Sequence, residues 1–87
     1  MIQLIKTTGE IINLPSKKLT LEELQTFVGG YIELVKLNRE EIMVVNEDGK
    51  LYNLPVNIIA TTIYQKVIPS KDVIVGDVII CNDSLIN

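Results

Sequence analysis

The chain has 87 residues, 47% of them hydrophobic and 22% charged, and eleven acidic against eight basic side chains give a net charge of −3. This length and balance are those of one globular domain, residues 1–87. The bases are scattered singly apart from Lys17-Lys18, and only Arg39 is an arginine, which argues against nucleic-acid binding. No apolar stretch reaches the roughly 20 residues that cross a bilayer, and MIQLIKTTGE does not resemble a signal peptide. We therefore expect a cytoplasmic protein without membrane contact.

The first residues predict a β-hairpin. An apolar strand over residues 1–6 is followed by Thr7-Thr8-Gly9, and the segment EIINLP returns as a second strand. Glycine suits the tight loop because it adopts a positive φ without a Cβ clash. Pro15, which has no N–H to donate, ends the second strand.

A helix is predicted over residues 20–28. Thr20 and Glu23 have the spacing of a capping box, in which each side chain bonds the other residue's backbone N–H. The apolar residues recur at helical intervals: Leu21, Leu24, Phe27 and Val28. Gly29-Gly30 is typical of a helix C-cap.

Three strands are predicted next, over residues 31–37, 41–46 and 50–54. The second, EIMVVN, is a nearly continuous apolar run and suits the interior of a sheet. Asn46-Glu47-Asp48-Gly49 is the expected hairpin turn before the third.

The remaining residues favour two further elements. Residues 57–66 predict either a short helix capped by Asn57 or a strand, because their β-branched side chains weaken the helix signal. The run KDVIVGDVIICND is strand-like, and Gly76 inside it indicates a turn or bulge.

These elements predict an α+β fold with one antiparallel or mixed sheet of about five to six strands. The helix at 20–28 would cover one face of the sheet. A second apolar face left uncovered would favour a homo-oligomer.

The residue inventory argues against catalysis. The chain has no histidine, the commonest general base and zinc ligand. Cys81 is the only cysteine and lies in an apolar run, which predicts an inert buried thiol. The stretch NEDGK fails as a calcium loop, because Asp48 fits position 3 but Gly49 falls at position 4 instead of 6 and Lys50 occupies the ligand position 5. We expect a non-enzymatic protein with no cofactor and no metal. The alternative is a small carboxylate- or lysine-based enzyme acting on a nucleotide-like substrate.

Four side chains are the candidate ligand-binding residues: Tyr31, Glu33, Asn46 and Asn57. Phenol, amide and carboxylate groups that converge on one pocket can hydrogen-bond to a polar, ring-bearing small molecule. The competing interpretation is structural, with Asn46 closing a turn and Asn57 capping a helix.

The helix LEELQ, then VGGYIE, VNEDGKLYNLPVN and VGDVII follow one another in an order that resembles the phage and bacterial family called domain of unknown function 3846. The resemblance covers residues 19–82. It rests on these residues: Leu21, Leu24, Gln25, Gly29, Gly30, Tyr31, Ile32, Glu33, Asn46, Glu47, Gly49, Lys50, Leu54, Pro55, Asn57, Ala60 and Gly76.

This resemblance implies a context and no activity. By analogy with small acidic phage proteins, we expect a non-enzymatic accessory protein of a phage or mobile element, working in the cytoplasm of a bacterial host. It would inhibit a host defence system by binding a host protein or by sequestering a nucleotide-like signal molecule.

Overall fold

A computed structural model describes residues 1–86. It contains five strands, β1 (Ile2–Ile5), β2 (Ile11–Leu14), β3 (Ile32–Lys36), β4 (Glu41–Asn46) and β5 (Val78–Asn82). The two α-helices are α1 (Leu21–Val28) and α2 (Ile58–Val67). A 3₁₀ turn, Asp83–Leu85, follows β5.

The five strands form one antiparallel sheet in the order β2-β1-β5-β4-β3. The hairpins β1-β2 and β3-β4 are each local in sequence, whereas β5 lies between them and joins them. The predicted α+β class is confirmed, and the sheet is antiparallel rather than mixed.

Helix α1 begins and ends as its sequence predicts. The Thr20 hydroxyl accepts from the Glu23 N–H at 3.0 Å, and the Glu23 carboxylate accepts from the Thr20 N–H at 3.0 Å. Gly29 ends the helix with a φ of 80°, in the left-handed region that glycine tolerates best.

The segment whose sequence fits either helix or strand is the helix α2. Asn57 is its N-cap, and the Asn57 Oδ1 accepts from the Ala60 N–H at 3.0 Å. Burial of Ala60, with Ile59 and Ile63 packed against the sheet, overrides the β-propensity of the segment.

The two helices cover opposite faces of the sheet, which makes three layers. Alternate residues of one strand therefore enter different cores: Val44 of β4 lies beneath α1, and its neighbours Met43 and Val45 lie beneath α2. Helix α2 covers the second apolar face, the one whose exposure would favour a homo-oligomer. The homo-oligomer itself stays a prediction.

Two predicted strand segments are not strands. Residues 47–53 form consecutive turns, in which the Leu54 N–H donates to Gly49 O at 3.0 Å and Asn53 has a positive φ of 55°. Before β5, the segment 71–77 has only an isolated bridge between Val56 and Val75, and Gly76 makes the predicted turn with a φ of 79°. None of the helices within residues 1–86 is long and apolar enough to cross a membrane.

Candidate functional site

Asn46 organises one end of the molecule, where β4 ends. Its side chain is buried, and its Nδ2 donates to the carbonyl of Val28 at the end of α1, at 3.1 Å. Its Oδ1 accepts from the Asp48 N–H at 2.9 Å and so begins the turns after β4. One amide thus fixes the positions of α1, β4 and the loop at residues 47–54.

A depression of about 280 Å³ opens beside this amide. We call it the tyrosine depression, and it is lined by Gln25, Gly29, Gly30, Tyr31, Asn46, Asp48 and Tyr52. Tyr31 and Tyr52 are 69% and 68% exposed, although tyrosine rings usually bury much of their surface. Two accessible aromatic rings therefore stand at a hollow whose wall also carries amide and carboxylate groups.

The backbone that carries these rings is held by hydrogen bonds. The Tyr31 carbonyl accepts from the Glu47 N–H at 2.8 Å, and the Tyr52 N–H donates to Asp48 O at 3.1 Å. Gly30 completes the wall, since a Cβ at that position would lie 2.9 Å from the Asn46 Nδ2. The close approach of Asn46 therefore requires a glycine there.

The electrostatics of the tyrosine depression favour hydrogen-bond donors. Asp48 is its only charged side chain, and the C-terminal end of α1 contributes partial negative charge from its last carbonyls. An anionic group entering this hollow would be repelled, whereas an N–H donor or a cation would be attracted.

A second depression, of about 230 Å³, lies on the α2 side of β3 and β4. We call it the acidic depression, and it is lined by Glu33, Val35, Val45, Asn46, Glu47, Asp48, Lys50, Leu51, Tyr64, Asp72, Val73, Ile74 and Val75. Lys50 pairs with Asp72, and this contact is the main cause of a lowered pKa of the Asp72 carboxyl, helped by the Val73 N–H. Three further acids, Glu33, Glu47 and Asp48, leave the depression with excess negative charge.

The four residues singled out in the sequence do not form one pocket. Tyr31 and Asn46 line the tyrosine depression, while Glu33 and Asn46 line the acidic one, and Asn46, like Asp48, belongs to both. Asn57 has no exposed surface and lines neither of them.

Asn57 is tied entirely to the protein. Its Nδ2 donates to the carbonyls of Ile5 and Gly76, both at 2.9 Å, in addition to the capping bond from Ala60. Its predicted capping role is confirmed, and its amide has no face toward solvent.

Tyr52, Asp48 and Gln25 also line the tyrosine depression but are not among the four site residues predicted from the sequence. The signal that could have found Tyr52 was its place in a run with Asn53, Leu54 and Pro55, a composition typical of a turn. A turn exposes an aromatic ring that a strand would half-bury.

Cys81, the only thiol in the sequence, lies away from both depressions. Cys81 is buried within β5, and burial raises the pKa of its thiol, as does Asp83 to a smaller degree. Among residues 1–86, no group of three or more histidine, cysteine, aspartate or glutamate side chains could hold a metal ion.

These features define a small three-layer α+β protein with two hollows, one of them lined by exposed tyrosines, at one end of its sheet. The chain belongs to the family described as a domain of unknown function (DUF3846), whose model matches residues 2–85. No curated protein and no solved structure matches it.

Proposed function

We propose that this protein is a non-enzymatic binding protein whose tyrosine depression receives the ligand. As an accessory protein of a phage or mobile element, it would act in the cytoplasm of a bacterial host. There it would inhibit a defence system by binding a host protein or by sequestering a nucleotide-like signal. The observation that carries the proposal is the pair of exposed rings, Tyr31 and Tyr52, on a fixed framework.

The two rings favour a flat or aromatic group as the ligand. Tyrosine supplies a large contact area, and an aromatic pair adds about 0.5–1.5 kcal/mol beyond the area it buries. The hydrogen bonds of Asn46 and of the 47–54 loop hold the backbone that carries the rings in place before binding. This preorganisation reduces the entropy lost when the ligand binds.

The wall of the depression selects the end of the ligand that enters. Asp48, the Asn46 Oδ1 and the Gln25 Oε1 are hydrogen-bond acceptors. A nucleobase could donate its N–H groups to them while it stacks on the rings. The phosphates of a nucleotide-like ligand would then point to solvent, away from Asp48.

A thermal-shift screen of nucleosides, nucleotides and cyclic nucleotides tests the small-ligand form of this proposal. A ligand at a hundredfold excess over its Kd stabilises the fold by about 2.7 kcal/mol, which corresponds to more than roughly 10 °C for a domain of this size. Tyr31→Ala and Tyr52→Ala should each remove most of the shift. Leu21→Ala, an exposed change on α1 outside both depressions, should leave it intact.

The outcomes of this screen separate the two forms of the proposal. A ligand whose shift survives both tyrosine changes would contradict binding at the tyrosine depression. No shift with any compound would exclude these ligands and leave a host protein as the partner, for which the same two tyrosine variants are the test.

A further inference from the structure

The outer edge of β3 is unpaired within residues 1–86, because β3 is the last strand of the sheet on its side. The register shows which of its backbone groups are free. The Glu47 N–H donates to Tyr31 O, and the Leu37 N–H donates to Glu41 O, so odd-numbered residues of this strand bond β4. The N–H and C=O groups of Ile32, Leu34 and Lys36 therefore point outward.

This edge is built to accept an added strand. The backbone groups of its three outward-facing residues form one continuous unpaired row, and the Leu34 residue in the middle of that row is 52% exposed. Exposed edges of this kind pair with extended segments of other chains unless the protein blocks them. Neither a proline nor a bulge interrupts Ile32–Lys36.

The two depressions flank the beginning of this edge on opposite faces of the sheet. The tyrosine depression opens on the α1 side and the acidic depression on the α2 side. A strand laid along β3 would direct successive side chains to alternate faces. One side chain would reach Tyr31 and Tyr52, and the next would reach Glu33 and its acidic neighbours.

We propose that the β3 edge binds an extended, lysine- or arginine-bearing segment of another protein by strand addition. Charge complementarity selects this partner. The acidic depression holds Glu33, Glu47, Asp48 and Asp72 against the single base Lys50, which is already paired with Asp72. A cation is also what the tyrosine rings and Asp48 favour on the other face.

A second copy of this chain fits the same edge less well. In a two-fold antiparallel pairing centred on Leu34, Val35 of the other copy would lie opposite Glu33. In one centred on Val35, Leu37 would lie there. The strand's one base, Lys36, is bridged to Asp83 at 3.1 Å and lies on the other face. The acids would stay without a basic partner.

This inference rests on the proposed function in its protein-binding form and is tested with peptides. Displayed random peptides of about ten residues, long enough to span the edge with flanks, are selected on the full chain. Those enriched are then titrated by fluorescence anisotropy. We expect them to carry lysine or arginine, and to bind more weakly as salt rises through the range that screens surface charges, above about 0.1 M.

Two variants locate the binding. Leu34→Pro removes one outward N–H, a change that edge strands tolerate, and should weaken binding at least about tenfold. Asn13→Pro is the matched control, because the β1-β2 register and the Lys6 N–H bond to Glu10 O place the Asn13 N–H on the outer edge of β2. It should leave the affinity unchanged. Glu33→Lys keeps the backbone intact and should weaken the same peptides.

The peptide selection would overturn the inference if it gave no enriched peptide, enriched peptides without basic residues, or binding insensitive to both Leu34→Pro and Glu33→Lys. Sedimentation that shows a dimer dissociated by Leu34→Pro would assign the edge to a second copy instead. If Tyr31→Ala abolished peptide binding but Leu34→Pro and Glu33→Lys did not, strand addition would be refuted and the proposed function would stand. A nucleotide shift in the thermal screen without any peptide binding would do the same.

Discussion

The two buried asparagines show how single residues hold this fold together. Asn57 connects the end of β1, the turn at Gly76 and the first turn of α2 through three hydrogen bonds. Asn46 connects the end of α1 with the loop after β4. Both amides join segments that are far apart in the chain, so each stabilises tertiary structure as well as a turn or cap.

Asn57→Ala should lower the free energy of unfolding by about 3 kcal/mol. The variant loses the N-cap, worth about 1 kcal/mol, and removes the Asn57 donor from the buried Gly76 carbonyl, at about 1–3 kcal/mol. The Ile5 carbonyl still faces the Val78 N–H across the sheet. Urea unfolding followed by circular dichroism measures the loss. Asn13→Ala, an exposed control on β2, should change it by less than about 0.5 kcal/mol. A loss below about 1 kcal/mol for Asn57→Ala would show that water replaces the amide.

The adjacent glycines should respond differently to alanine. Gly29→Ala places a Cβ in open space but at a φ of 80°, so it should cost about 1 kcal/mol through backbone strain alone. Gly30→Ala meets the Asn46 Nδ2 at 2.9 Å and should displace that side chain. In ¹H–¹⁵N spectra the Asp48 amide should move in Gly30→Ala and stay in place in Gly29→Ala. Equal shifts in the two variants would refute the steric role of Gly30.

At the scale of elements, the two helices differ in how well their sequences predict them. The capping box and Gly29 make α1 predictable from the local sequence, because these signals lie within ten residues of one another. Helix α2 carries Ile58, Ile59, Thr61, Thr62 and Ile63, which favour strands. Its helical state depends on contacts with distant segments, such as the Ile74 N–H that donates to the Thr61 hydroxyl at 2.9 Å. No window of the sequence contains that information.

The candidate site was predictable in part for the same reason. The polar character of the Tyr31–Asn46 region is visible in the sequence, and the structure brings those two residues together. The burial of Asn57 was not visible, since its partner Ile5 lies 52 residues away. The exposed position of Tyr52 depends on the turns at 47–53, where a strand was predicted.

The capping box of α1 should give stability a pH dependence. The Thr20 backbone N–H, followed by Lys17, holds the pKa of Glu23 below its usual value of 4.5. A carboxyl with a lowered folded pKa stabilises the fold above its unfolded pKa, and that contribution is lost as the pH falls through the folded value. The difference in Tm between the natural chain and Glu23→Gln should therefore be largest near neutrality and shrink below pH 4.5.

Glu22→Gln is the control for this measurement, because it removes the same charge from the same turn without touching the capping box. Its Tm difference should vary less with pH. A pH profile equal to that of Glu23→Gln would assign the effect to the helix dipole rather than to the box.

At the scale of the whole molecule, helices cover both faces of the sheet, so the interior becomes accessible only when the strands separate. Cys81 lies in β5, the middle strand, and is almost completely buried. Its alkylation by iodoacetamide should be at least about a hundredfold slower in the native protein than in guanidinium, because the thiol reacts only from an open state. Fast native labelling would show that β5 separates from its neighbours without global unfolding.

The position of β5 also has a consequence for synthesis. The two hairpins leave the ribosome first, and each is a two-stranded unit too small to be stable alone. The strand that joins them is the last of the five to be made. The sheet and the two cores beneath its helices therefore stay incomplete until residues 78–82 emerge. During that interval the free edges of the hairpins are exposed to chaperones and to neighbouring nascent chains.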